Sequence, residues 1–260
     1  MARSNPQSIS ERRPGASRRN ALPKQGIPLD RSRVRRLRRA LLEWANVQGR
    51  QFFWREPTIT PFEVLVTEIL LAKTQADVVA PVAVTLLERY RDPAALAGAK
   101  LRDLQQLLYP LGLHRKRARH LKACARVLVE HHEGVVPETI EQLIELPFVG
   151  RYAASAIACV AFGKQVPVLD ANVSRIYQRV FSLAPPPPRL ANAHDLWAFA
   201  GRVLPRGNAK EFNWAILDLG GTICAARSPA CARCPIAPMC DFQADRPSGR
   251  AQRALRQVSR

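Results

Sequence analysis

Apolar residues recur along most of this chain at the three- to four-residue interval of an amphipathic helix, and no sustained alternation marks a strand. Order is expected from Asp30, placed to cap a helix in which Val34, Leu37, Leu41, Leu42 and Trp44 form one stripe and arginines cover the other face. Gly49 stops that helix, and Phe52 to Pro57 is an aromatic-rich linker. Thr60-Pro61-Phe62-Glu63 is a capping box with Pro at the first helical position. It opens a helix carrying Val64, Leu65, Ile69, Leu70 and Leu71, which ends at the polar Lys73-Thr74-Gln75. More helices are predicted near 77–90, from Pro93, and near 100–108, 115–133 and 138–145. The turn Leu146-Pro147-Phe148-Val149-Gly150 leads into an apolar helix from about Arg151 to Phe162, which Gly163 ends. A buried-looking run, Val166-Pro167-Val168-Leu169, then delivers Asp170. Asn172 to Phe181 reads as helix, Ala184 to Arg189 as a polyproline loop, and His194 to Val203 and Glu211 to Leu219 as the last two helices. The pattern predicts an all-α protein with no internal repeat.

Several polar groups interrupt this pattern. Glu68 sits within a strongly apolar helix, so it either faces solvent or is a satisfied or working acid, because burying it unpaired is costly. The junction Leu111-Gly112-Leu113-His114-Arg115-Lys116-Arg117 reads as a DNA-contacting loop or as a solvated helix start. At the turn before Arg151, a helix N-terminus offers free N–H groups and partial positive charge to an anion, Gly150 permits close backbone approach, and Arg151 adds a full charge. An ordinary helix connection punctuated by Pro and Gly fits the same residues. Asp170, just ahead of a helix, is placed to be its N-cap.

Composition narrows the partners. The 260 residues are 47% hydrophobic and carry a net charge of +19, with a pI near 10.9. Such a charge disfavours self-association and favours a polyanion, nucleic acid before an anionic membrane surface. No apolar run approaches a membrane span and no secretory signal opens the chain, so an intracellular, cytoplasmic protein is expected. Residues 1–29 and 244–260 read as disordered basic tails. Of the six cysteines, Cys124 and Cys159 fall in apolar helical patterns as buried thiols. The other four follow the spacing Cys224-x6-Cys231-x2-Cys234-x5-Cys240. One Cys-x-x-Cys knuckle with long, unequal flanks suits a [4Fe–4S] cluster better than a zinc ribbon, and Arg227 and Arg233 of that loop are placed to grip phosphates.

Hairpin, aspartate and cysteine loop, in this order, resemble the helix-hairpin-helix DNA glycosylases of the endonuclease III superfamily over roughly 31–243. The resemblance implies two helical lobes, 56–162 and 30–55 plus 163–243, with the helix-hairpin-helix closing the first and an iron–sulfur cluster loop in the second. It implies DNA contacts from Lys73, Gln75, Leu113, His114, Arg115 and Lys116, and from the hairpin residues Pro147, Phe148, Val149, Gly150 and Arg151. Asp170 becomes the catalytic carboxylate and Glu68 an active-site acid. Phe148 departs from the family pattern, which has Gly there; a position with positive φ would strain it.

Bifunctional members carry a lysine where this chain has Tyr152, and a phenol cannot form an imine, so base removal by water without strand cleavage is expected. Tyr152 with Asp170-Ala171-Asn172 is similar to the Mig-type thymine or uracil mismatch glycosylases. The MutY-type adenine glycosylases, the runner-up, usually have a small residue and Asp-Gly-Asn, plus a C-terminal domain that a chain ending about twenty residues after Cys240 is expected to lack. A non-catalytic iron–sulfur DNA-binding module is the alternative of another class. The implied partner is double-stranded DNA with a mismatched or damaged base, bound by a monomer, with no membrane.

Overall fold

The computed structural model describes residues 29–244. The expected basic tails lie outside the described residues, save for Leu29 and Ala244. Among the described residues there is no strand, and no helix is long and apolar enough to cross a membrane. The α-helices are α1 (Arg31–Gln48), α2 (Pro61–Leu71), α3 (Ala76–Arg89), α4 (Pro93–Gly98), α5 (Leu101–Leu107), α6 (His114–His131), α7 (Ile140–Glu145), α8 (Arg151–Phe162), α9 (Ala171–Phe181), α10 (His194–Val203), α11 (Ala209–Thr222) and α12 (Asp241–Ala244).

Local chemistry sets several of these ends. Asp30 caps α1 by accepting from the Ser32 and Arg33 N–H groups, and the Thr60–Glu63 capping box is formed in both directions. α2 stops at Leu71, two residues short of the predicted polar end, because Lys73 takes a left-handed φ of 62°.

Burial divides into two clusters. The first packs α2 to α7 and one face of α8, with Leu65, Leu70, Leu86, Leu104, Leu121 and Ile157 at its centre. The second joins α1 to α9, α10 and α11 through Leu37, Leu41, Tyr177, Phe199, Phe212 and Ile216. α8 belongs to both: Ala158 lies in the first cluster and Cys159 in the second. Cys124 and Cys159 are buried free thiols, and burial pushes the Cys124 thiol up to about 12.

Two polar devices hold the second cluster in register. Asp218 on α11 is almost fully buried and pairs with Arg50, just after α1, and with Arg55 of the aromatic linker, each at 2.8 Å. Burial alone would raise this carboxyl, yet hydrogen bonds and charge from Arg55, then Arg50, hold it below the usual range. The run before Asp170 is neither helix nor strand, so no strand partner satisfies its backbone. The buried Asn213 amide takes that role: its Oδ1 accepts from Val168 N–H (3.1 Å) and its Nδ2 donates to the Val166 carbonyl (2.9 Å). One side chain on α11 thereby fixes the segment that presents Asp170.

Candidate active site

Three titratable side chains converge where the two clusters meet. Glu68 comes from α2, Tyr152 from the first turn of α8, and Asp170 from the N-cap of α9. Asp170 is half-buried; Oδ1 accepts from Val173 N–H at 2.7 Å and Oδ2 from Asn172 Nδ2 at 2.8 Å. It is a helix cap as well as a site carboxylate.

Glu68 does not face solvent, one of the two readings its neighbours allowed. It is half-buried, and its Oε2 is sealed from water with no hydrogen-bond partner. Burial first, then the Asp170 charge, push the Glu68 carboxyl up to about 8. Burial, then Glu68 and Asp170, also raise the Tyr152 phenol well above its ordinary value. At neutral pH the arrangement offers a neutral carboxylic acid, a neutral phenol and a second carboxyl. That is a protonated acid beside a second carboxyl, an arrangement suited to proton transfer to a leaving group.

A hydrogen-bonded chain runs from this site to the cysteine loop. Asn172 donates to Asp170 and accepts from Arg175 Nη2 (2.9 Å), and Arg175 donates to the carbonyls of Cys224 (2.9 Å) and Gly220 (3.0 Å). Gly220 is obligatory here, because an added Cβ would lie 2.7 Å from Asn172 Cβ. Arg179 donates to the Cys224 sulfur and to the carbonyls of Ala225 and Ala226, and Arg33 to the Met239 carbonyl.

All four cysteines of the loop line one cavity with Ile176, Val180, Leu219 and Ile236, and none forms a disulfide. Burial, and then the neighbouring thiols, push Cys234 up to about 11. Among the described residues no three His, Cys, Asp or Glu side chains converge tightly enough for a single ion. Four thiols around one apolar cavity are a donor set that a polynuclear centre can take. Arg227 and Arg233 are exposed on this loop.

The hairpin joins α7 to α8. Phe148 has φ of 68°, the left-handed conformation that strains a bulky residue, and its 58% exposed ring stacks on His120 of α6 with centroids 3.4 Å apart. Pro147 is half-buried, and the Val149 side chain is buried, so only its backbone can meet a ligand. Gly150 has an ordinary φ of −93° and open space where a Cβ would stand, so no internal contact demands glycine there. Arg151 is engaged within the protein: its guanidinium lies over Trp197 at 4.4 Å and donates to the Ala191 carbonyl at 3.1 Å. Lys73, Gln75, Leu113, Arg115 and Lys116 are exposed and His114 is half-buried. Asn213 and Arg175 are structural partners that the sequence did not single out, and Arg117, read there as a DNA-contacting or solvated cation, is buried instead; each acts on residues far away in the chain.

The fold agrees with what comparison finds. The model of the HhH-GPD superfamily of base excision DNA repair proteins matches residues 66–198, and the chain belongs to that superfamily. It is 40% identical over 217 residues to a thymine-DNA glycosylase of Aeropyrum pernix, a match covering 82% of this chain and 97% of the relative. It is 39% identical over 202 residues to an adenine DNA glycosylase of Mycobacterium tuberculosis, covering 75% of this chain and 64% of that one. The solved structure of a thermostable thymine-DNA glycosylase superposes with a TM-score of 0.76 at 29% identity, over 83% of this chain and 98% of that one.

Proposed function

We propose that this protein is a monofunctional DNA glycosylase that hydrolyses the N-glycosidic bond of thymine or uracil opposite guanine, acting as a monomer. The observation that carries the reading is the trio of Glu68, Tyr152 and Asp170 at the seam of the two clusters, with a phenol in the first turn of α8. A base inside a duplex is out of reach, so the nucleotide swings out of the stack toward this trio; unstacking costs about a few kcal/mol and less at a mismatch. Asp170 faces the sugar, stabilises the positive charge that grows as the bond breaks, and orients the attacking water. Its hydrogen bonds from Val173 and Asn172 fix its rotamer for that task.

Glu68, held neutral, donates a proton or hydrogen bond to the departing base, and its sealed Oε2 is the atom left without a partner until a base arrives. Tyr152 lines the pocket, and a phenol there leaves the sugar to water. Exposed Lys73, Arg115, Lys116, Arg227 and Arg233 hold phosphates, and the N–H groups at the start of α8, uncapped by any side chain, receive another beside Gly150.

The cysteine cavity fits a [4Fe–4S] cluster held by Cys224, Cys231, Cys234 and Cys240, which supplies a staple for a loop too short to fold alone. Iron and acid-labile sulfide at about four each per chain are expected. Purified protein carrying zinc and no sulfide contradicts the assignment.

Adenine removal is the second reading, because Glu68 suits protonation of a purine and an adenine glycosylase is 39% identical. Duplexes holding T·G, U·G and A·8-oxoguanine, incubated with the protein and then treated with hot alkali, separate the two. Breaks at thymine and uracil are expected. Breaks confined to adenine reject the pyrimidine reading, and no release from any duplex leaves a non-catalytic DNA-binding module.

A further inference from the structure

The junction before α6 carries three consecutive cations, but the third is not on the surface: Arg117 is only 4% exposed. Among the described residues no carboxylate pairs with it. Its five N–H donors all go elsewhere. Nε donates to the Gly112 carbonyl (3.1 Å), Nη1 to the carbonyls of Leu70 (2.7 Å) and Ile69 (3.3 Å), and Nη2 to the Ala72 carbonyl (3.0 Å) and the Thr74 hydroxyl.

Three of these carbonyls close the end of α2, where unpaired C=O groups and the helix dipole attract a cation. Gly112 belongs to the other side, the turn that starts α6. One guanidinium therefore ties the loop 72–75 to the turn 112–113, and ties both to the helix end next to Glu68. Each segment contains left-handed backbone, with φ of 62° at Lys73, 66° at Gly112 and 49° at Leu113. Gly112 takes its φ freely, whereas the non-glycine Lys73 and Leu113 are strained there and persist only where their surroundings over-determine them. The tips they shape are exposed: Leu113 at 59%, beside Arg115 and Lys116, and Lys73 and Gln75 opposite. Apolar tips flanked by cations are what proteins insert between base steps.

We propose that Arg117 is a positioning residue that makes these two loops one rigid wedge, which fills the space a base vacates and keeps that space in register with Glu68. The inference rests on the base-flipping reading above. Arg117→Lys keeps the charge but cannot reach both loops with one ammonium. Thr74→Val removes a single partner and leaves the guanidinium in place.

With 2-aminopurine beside the target uracil of a U·G duplex, saturating wild-type protein should raise its fluorescence as the stack opens. The Lys variant should bind within about threefold of wild type, yet give less than about half the fluorescence rise and release uracil at least about tenfold more slowly. Thr74→Val should shift both readouts the same way by less, and it decides alone where Arg117→Lys does not fold. A full fluorescence rise in the variants, or a rise lost only in proportion to lost binding, overturns the role of Arg117. No rise with the wild type overturns base flipping itself.

Discussion

Asp170→Asn is expected to slow release of the target base by about a thousandfold or more while leaving the fold and duplex binding close to those of the wild type. The two expectations separate because Asp170 has two jobs. As the N-cap of α9 it accepts from the Val173 N–H at 2.7 Å, and asparagine caps a helix about as well as aspartate. Helix stability should change by less than about 1 kcal/mol, or roughly 2–4 °C in Tm. In the proposed role beside the sugar it must carry negative charge, which an amide cannot. Single-turnover base release and a gel-shift titration on one mismatched duplex check both halves. A variant that releases base within about tenfold of the wild-type rate assigns the chemistry to another residue.

Glu68→Gln should slow base release by about a hundredfold and alter the pH profile. With its carboxyl pushed up to about 8, Glu68 is protonated at neutral pH and ionises as pH passes that point, so wild-type activity should fall on the alkaline side. Glutamine keeps the shape but transfers no proton, and that limb should vanish.

Stability should move the other way. The unfolded carboxyl titrates near 4.5 and the folded one near 8, so the folded state holds the extra proton between those values. Wild-type stability therefore falls as pH rises through that window, and is level below and above it. Glu68→Gln removes the loss and should melt higher than wild type at pH 8 and about equally near pH 4. An unchanged alkaline limb, or equal melting temperatures at both pH values, counts against a neutral Glu68.

The helices were legible because each buries an apolar stripe with period near 3.6, and the ends announced by capping chemistry, Asp30 and the Thr60–Glu63 box, formed as read. The spacing of the cysteines placed four thiols around one cavity. The turn before α8 was legible in outline, and the strain foreseen at Phe148 is present as a φ of 68°. The stacking of its ring on His120 was not, since that partner comes from α6.

What escaped the sequence shares one cause. Asn213 looks like a stray polar residue on α11, Arg117 like one of a run of surface cations, and Arg151 like a free charge beside an anion site. Each is defined by partners about 40 to 50 residues away or more, the Val168 N–H, the Leu70 carbonyl and the Ala191 carbonyl. Local pattern carries no information about such pairings. Glu68 falls between these cases: its apolar neighbours left both burial and exposure open, and only the packing of α2 against α8 and the nearness of Asp170 decided for burial.

The central claim is that water, guided by Asp170 and assisted by a neutral Glu68, takes the base off an intact strand. Uracil freed from a U·G duplex, measured alongside strand integrity before and after alkali and with borohydride present, tests it most directly. Free uracil, an unbroken strand until alkali is added, and no borohydride-trapped protein–DNA adduct are the results expected. Strand breaks before alkali, or a trapped adduct, contradict it.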